Sequence, residues 1–276
     1  QPGAEPALKS EVQRRHPGFR FAFSRPGLVT WRADSSLAPD FQLGAVFARA
    51  FGVSLGKAAT VAEGIELAKS VVSGSAPLVL HVFERDRQGS GVEKPEPEAA
   101  EGALAQSLRA ELVAAAPAGL FAEPARPPRR GERVLDVIVA PEEALWVGFH
   151  VHGDAHSPFP GGRAELVLPA DAPSRAYLKL EEGLLWSRLP MKKGQVAVEI
   201  GSAPGGASFA LLQRGLVVVG VDPGAMAPQV LATKTFSHLQ LPLGELRREQ
   251  LPARVDWLLL DVNLAPQVAL HGVRRI

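Results

Sequence analysis

Val198-Glu199-Ile200-Gly201-Ser202-Ala203-Pro204-Gly205-Gly206 is the stretch that decides the fold. Residues 196–200 are apolar except for Glu199, as in a strand buried on both faces. A glycine loop follows and opens a helical pattern over residues 205–214. Glycine lets a ligand approach the backbone where no β-carbon intrudes, and the first N–H groups of a helix face a carboxylate or phosphate. Asp222 comes sixteen residues after Gly206, at the tip of the next apolar run, residues 217–221. An acid there accepts hydrogen bonds from a ribose diol. By itself the loop also suits a plain strand–helix turn. It departs from the nicotinamide-binding G-x-G-x-x-G, because Ala203 fills the third position and Pro204 follows.

Outward from this loop the chain keeps an α/β rhythm. Helices are expected over residues 174–187, 205–214 and 225–233, and buried strands over 196–200, 217–221 and 257–260. Strands apolar on both faces that alternate with helices build a parallel, doubly wound sheet. Ligands of such sheets bind beyond the carboxyl ends of the strands. Lys179, on the helix ahead of the sheet, and Asp261, at the tip of the strand 257–260, both fall toward that mouth. Read singly, Lys179 is an ordinary solvated lysine and Asp261 a strand-end acid capping the next turn.

The front of the chain has a different character. A helix is expected over residues 5–15, strands over 19–23 and 28–31 around Arg25-Pro26-Gly27, and a short helix after them. A half-buried strand follows, with Phe47, Phe51, Val53 and Leu55 at alternate positions. Phe19, Phe21, Phe23, Phe47 and Phe51 read as core residues. Further on, a helix is expected over 60–72, a strand over 78–83, a loop over 88–98 and a helix over 99–115. An Arg/Pro loop over 124–133 precedes a hairpin over 134–139 and 145–150, turning at 140–143. Residues 157–162 read as a linker. Arg126, Arg129, Arg130 and Arg133 make the densest basic run, which suits a solvated loop or phosphate contact equally. His150, His152 and His156 match no standard zinc spacing, so no metal site is assigned and they read as surface histidines.

Whole-chain composition narrows the class. The 276 residues carry a formal net charge of +1, so any contact with nucleic acid rests on local patches. Apolar residues make up 46% and charged residues 21%, ordinary for a globular protein. There is no cysteine, which excludes disulfides and thiolate zinc sites and suits a reducing cytoplasm. No apolar run approaches the roughly 18 residues of a membrane span, and residues 1–12 have neither the basic start nor the apolar stretch of a signal peptide.

The segment Pro169-Ala170-Asp171-Ala172-Pro173-Ser174-Arg175-Ala176-Tyr177-Leu178-Lys179-Leu180-Glu181-Glu182, followed by Glu199 to Gly206, resembles the FtsJ-type RNA ribose 2′-O-methyltransferases. Within them the likeness is to those acting on 23S ribosomal RNA. The resemblance implies a Rossmann-like α/β domain over residues 173–276 with an incomplete sheet. It also implies a ferredoxin-like α+β piece over 1–57, a THUMP-like RNA-binding domain over 58–155 and a linker over 156–172. It implies S-adenosylmethionine as cofactor, held by Gly201, Ala203, Pro204, Gly205, Gly206, Asp222 and Asp261. Lys179 and Asp261 match the first lysine and the aspartate of the family's Lys–Asp–Lys–Glu set. The partner implied is ribosomal RNA, bound in part by Arg126, Arg129, Arg130 and Arg133. The family's second lysine, its glutamate and its last strands would lie after Ile276, and its first strand before Gln1. Truncation at both ends is therefore expected, and an RNA-binding piece without catalysis is the alternative reading. A dinucleotide oxidoreductase is disfavoured by Pro204 and the segment 174–182.

Overall fold

The computed structural model describes residues 3–72, 74, 76–86, 102–122, 126–141 and 143–276. They fall into two units, Gln1–Glu165 and Leu166–Ile276. The loop expected over 88–98, the first residues of the helix over 99–115, and parts of the segments 124–133 and 140–143 lie outside the described residues.

In the first unit, α1 (Glu5–Arg15) precedes an antiparallel pair, β1 (Phe19–Arg25) and β2 (Leu28–Ala33). No helix follows β2, and the next element, β3 (Val53–Ala58), begins later than the alternation of Phe47 and Phe51 predicts. β3 pairs with β6 (Leu145–Val151), so it belongs to a second sheet and not to the β1–β2 pair. The boundary expected at residue 57 thus cuts through β3. That sheet has the order β3-β6-β5-β4, with β4 (Val79–Glu84) parallel to β5 (Arg133–Val139) and the other pairs antiparallel. Its core packs Leu80, Leu135, Val137 and Val147 against α2 (Val61–Lys69) and α3 (Ala103–Ala115), through Ile65, Leu108 and Leu112. α2 starts where Thr60 accepts the Glu63 N–H and Glu63 accepts the Ala59 N–H, side-chain caps for its exposed first turn.

None of the five phenylalanines expected in the core is buried, and Phe21 and Phe47 are exposed. Phe19, Phe21 and Phe23 lie on a two-stranded sheet, which offers too little surface to enclose them, and Phe47 and Phe51 lie in the irregular segment before β3. The histidines are corrected in the opposite sense: His150, His152 and His156 are buried, and so is His81. His150 Nδ1 lies 2.6 Å from Asp136 Oδ2, and the His150 and His156 rings stack at 4.2 Å. Among the described residues no group of histidine and acidic side chains is set to hold a metal ion. The start of the segment expected as a linker is packed into this unit, with Gly161 against the Phe83 ring.

The second unit is built on four parallel strands in the order β10-β7-β8-β9. These are β7 (Val196–Ile200), β8 (Val217–Val221), β9 (Phe236–Leu239) and β10 (Trp257–Leu260). α4 (Ala176–Ser187) leads into β7, α5 (Gly206–Gln213) links β7 to β8, the short α6 (Pro228–Leu231) links β8 to β9, and α7 (Pro266–Arg274) follows β10. β7 and β8 are buried along nearly their whole length. β10 is an edge strand among the described residues and is only half-buried, with Leu258 exposed. Its unbroken apolar run reads as a fully covered strand, but its outer edge pairs with no described strand. No described helix is long and apolar enough to cross a membrane.

Candidate active site

The site is the carboxyl end of β7 and the loop that leaves it. Gly201 donates its N–H to Val221 O at 2.8 Å, and Asp261 donates its N–H to Ile200 O at 3.0 Å, which extends the sheet pairing past the strand ends. Gly201 has φ 86°, and a β-carbon there would collide with the Asp261 carbonyl oxygen. Only glycine fits this crossing. Gly206 opens α5 where a β-carbon would strike Ser174 Oγ and lie 2.7 Å from Ser174 O. The start of α4 and the start of α5 thus approach each other as closely as two backbones can. This is the physical reason that the segment around Ser174 and the glycine loop occur together. The Ala203–Pro204 peptide bond is cis.

Asp222, at the tip of β8, holds the loop from the other side. Its Oδ2 accepts the Ala203 N–H at 3.1 Å and its Oδ1 accepts the Gly224 N–H at 2.7 Å. A carboxylate has about four acceptor sites, so two stay available to a diol. His238 Nε2 lies 2.9 Å from the Asp222 carbonyl oxygen and fixes the neighbouring strand tip.

Lys179 and Asp261 meet. Lys179 Nζ donates to Asp261 Oδ2 at 2.9 Å, with the two side chains 71% and 57% exposed. An exposed pair of this kind contributes only about 0–1 kcal/mol of stability. Its significance is positional, since it brings a lysine ammonium to the rim of the loop.

Glu199 is the residue that sequence reasoning passes over. It is buried, and Ser208 Oγ–H donates to its carboxylate from α5. Burial pushes its carboxyl up to about 7, and the nearby Asp261 and Asp222 add to that, against the opposing Ser208 hydrogen bond. The available signal was a single acid in an otherwise apolar strand. Three carboxyl groups, Glu199, Asp222 and Asp261, therefore interact at one strand end, an arrangement that favours a cation.

The residues fit the implied cofactor, with a bare-backbone cradle at Gly201 and Gly206, a strand-tip acid with spare acceptors, and carboxylates for a sulfonium and an amino group. Residues 172–271 match the FtsJ-like methyltransferase family. This stretch is similar to that family. Proteins similar to the chain include several named ribosomal RNA large subunit methyltransferase M. That of Marinobacter nauticus is 36% identical over 146 residues, 50% of this chain and 39% of the relative. That of Alkalilimnicola ehrlichii is 39% identical over 125 residues, 43% of this chain and 33% of the relative. That of Methylococcus capsulatus is 35% identical over 158 residues, 55% of this chain and 42% of the relative. The chain thus spans well under half the length of these relatives. A putative hemolysin from Lactococcus lactis, 24% identical, aligns over 39% of this chain and 54% of its own with a TM-score of 0.36, a likeness that carries no argument.

The arginine run does not form one open patch. Arg126 is held by Glu132 through two bonds of 2.8 and 3.0 Å, Arg130 by Asp154 at 2.8 Å, and Arg133 donates to Val71 O, while Arg129 is exposed. The first unit also contains a cavity of about 470 Å³ bordered by Trp31, Phe41, Phe47, Arg49, Asp86 and Trp146. No residue of the glycine-loop site lines it.

Proposed function

We propose that the FtsJ-like domain transfers a methyl group to a ribose 2′-hydroxyl of RNA, and that large-subunit ribosomal RNA is the substrate. The observation that carries this reading is the Lys179–Asp261 pair at the rim of the glycine loop. S-adenosylmethionine would supply the methyl group. Gly201, Ala203, Pro204, Gly205 and Gly206 would bind its polar end, Asp222 its ribose, and Asp261 with Glu199 would face its cationic end. Methyl transfer is an in-line displacement, so the hydroxyl must be aligned and its proton removed. Lys179 would orient that hydroxyl or, in its neutral form, take its proton, and Asp261 would anchor the ammonium. Burial of a lysine or a second cation beside it is the usual way to ready it as a base.

The family names of the relatives support an RNA substrate. A ferredoxin-like and a THUMP-like character for the front half, with the division placed ahead of β3 and not at residue 57, is part of the same proposal. So is RNA contact through Arg126, Arg129, Arg130 and Arg133, of which Arg129 and Arg130 are exposed.

The test is incubation of the chain with methyl-labelled cofactor and large-subunit ribosomal RNA, followed by alkaline hydrolysis. A 2′-O-methyl group blocks cleavage at its own phosphodiester, so label is expected in alkali-resistant dinucleotides. Label recovered in free mononucleotides would place the methyl on a base and refute the reading. RNA binding without label transfer would favour a non-catalytic module.

A further inference from the structure

The two sides of α4 differ in a way that helix packing does not explain. Tyr177, Leu180, Glu181 and Leu184 recur at three- and four-residue spacing and lie on one side. Tyr177 faces the Phe209 ring at 6.3 Å, Leu180 packs into the core beside Leu211, and Glu181 is held by Arg214. The opposite side carries Lys179, Glu182, Gly183 and Trp186, all exposed. A surface helix is expected to present polar residues there. Trp186 breaks the pattern, at 79% exposure.

Trp186 stands seven residues, two helical turns, beyond Lys179, on the same stripe and about 10 Å along the axis. Nothing blocks the path between them, because a β-carbon on Gly183 would meet no heavy atom within 4 Å. The stretch of chain that carries Trp186 is one-sided in charge. Residues 174–194 hold five cations, Arg175, Lys179, Arg188, Lys192 and Lys193, against two acids, Glu181 and Glu182. Glu181 accepts from Arg214, and Lys179 donates to Asp261. An exposed indole in a cation-rich stretch, in line with the lysine at the site, matches what single-stranded nucleic acid requires: a flat ring for a base and positive charge for the phosphates.

We propose that Trp186 is a stacking platform for an unpaired base of the RNA strand that enters the site, next to the nucleotide presented to Lys179. The proposal rests on the RNA-methyltransferase reading for its register with Lys179. Trp186 acts as a positioning residue and takes no part in bond making. Its substitution is not expected to unfold the domain, since its side chain packs little.

The test compares two probes of equal length and charge, oligoadenylate and the same ribose-phosphate oligomer without bases. In the wild-type chain, oligoadenylate quenches tryptophan fluorescence and the base-free oligomer does not. W186F loses most of that quench yet binds oligoadenylate within about threefold of wild type, because a phenyl ring also stacks. W186A weakens oligoadenylate binding about tenfold and leaves the base-free oligomer unchanged. With ribosomal RNA, W186A raises KM by a similar factor, with kcat and cofactor affinity unchanged. An equal loss for both probes, or no loss for either, overturns the stacking role, and in the second case the exposed indole serves a protein contact. If the wild-type chain methylates RNA and W186A has an unchanged KM, the platform is overturned and the methyltransferase reading stands. If oligoadenylate binds and quenches through Trp186 but ribosomal RNA is never methylated, the function is overturned and the platform stands.

Discussion

Lys179 and Asp261 are 82 residues apart in the chain and 2.9 Å apart in space. One comes from the helix ahead of β7 and the other from the tip of the strand on its far side. The two are exposed, so their pairing stabilises the fold by little. Lys179→Ala should therefore shift the unfolding free energy by less than about 1 kcal/mol and leave cofactor affinity intact. Methyl transfer should fall by at least about a hundredfold, the usual worth of a positioned acid–base group. Retained activity in single-turnover assays would remove Lys179 from the mechanism.

Asp222 accepts from the Ala203 and Gly224 N–H groups, and the proposed function adds the cofactor ribose. Asp222→Ala should weaken cofactor binding by roughly 1.5–3 kcal/mol, about tenfold to 150-fold. Asp222→Asn isolates the charge, because its side-chain oxygen can still accept one of the two loop hydrogen bonds. Calorimetry with S-adenosylhomocysteine would read both variants. Unchanged affinity in each would show that the loop alone holds the ligand.

On the proposed function, Glu199 is expected to make cofactor binding pH-dependent. Its carboxyl, raised to about 7 by burial, is partly protonated at neutral pH. A bound cation favours the ionised form, so cofactor affinity should rise as pH passes from 6 to 8, with a proton released on binding. The stability effect has the opposite sense. A carboxyl raised above its unfolded value contributes stability below the unfolded value near 4.5, and that contribution is lost as pH rises through about 7. Glu199→Gln should flatten both profiles. Calorimetry in two buffers of different ionisation heat counts the proton directly.

The buried histidines make the first unit acid-sensitive. Burial first, then the neighbouring His150 and His152, lowers His156 to about 4, and only Asp136 opposes them; Phe51 covers the ring at 4.3 Å. A histidine with a depressed value stabilises the fold above its unfolded value near 6.5, and this is lost as pH falls toward 4. The expected loss over that window is on the order of 2 kcal/mol. His156→Phe should flatten the dependence of Tm on pH between 4 and 6.5. An unchanged slope would assign the effect to other groups.

Much of the second unit is written in local sequence. The run 196–200, the glycines after it and Asp222 report a strand, a sharp turn and a strand tip without any long-range information, because period and glycine are local signals. The segment around Ser174 and Lys179 is equally legible as a motif. The same approach misplaces what depends on neighbours. Phe19, Phe21 and Phe23 alternate like core residues, yet they lie on a two-stranded pair, and Phe47 and Phe51 lie on no strand at all. The strand 257–260 is apolar throughout, yet it is an edge strand among the described residues and Leu258 is exposed. His150, His152 and His156 look like surface residues, yet His150 bonds Asp136 and the other two pack beside His150, because the pairing of β5 with β6 brings Asp136 and His150 together.

By itself, the sequence determined that a buried strand runs into a bare-backbone turn, that an acid follows at the next strand tip, and that a lysine and an aspartate flank this turn. The tertiary structure alone decided that Lys179 reaches Asp261, that Gly206 touches Ser174, and that Glu199 is forced toward its neutral form. Each of these depends on groups far apart in the chain. Their distances are fixed by sheet order and helix packing, and their ionisation by the water that packing removes.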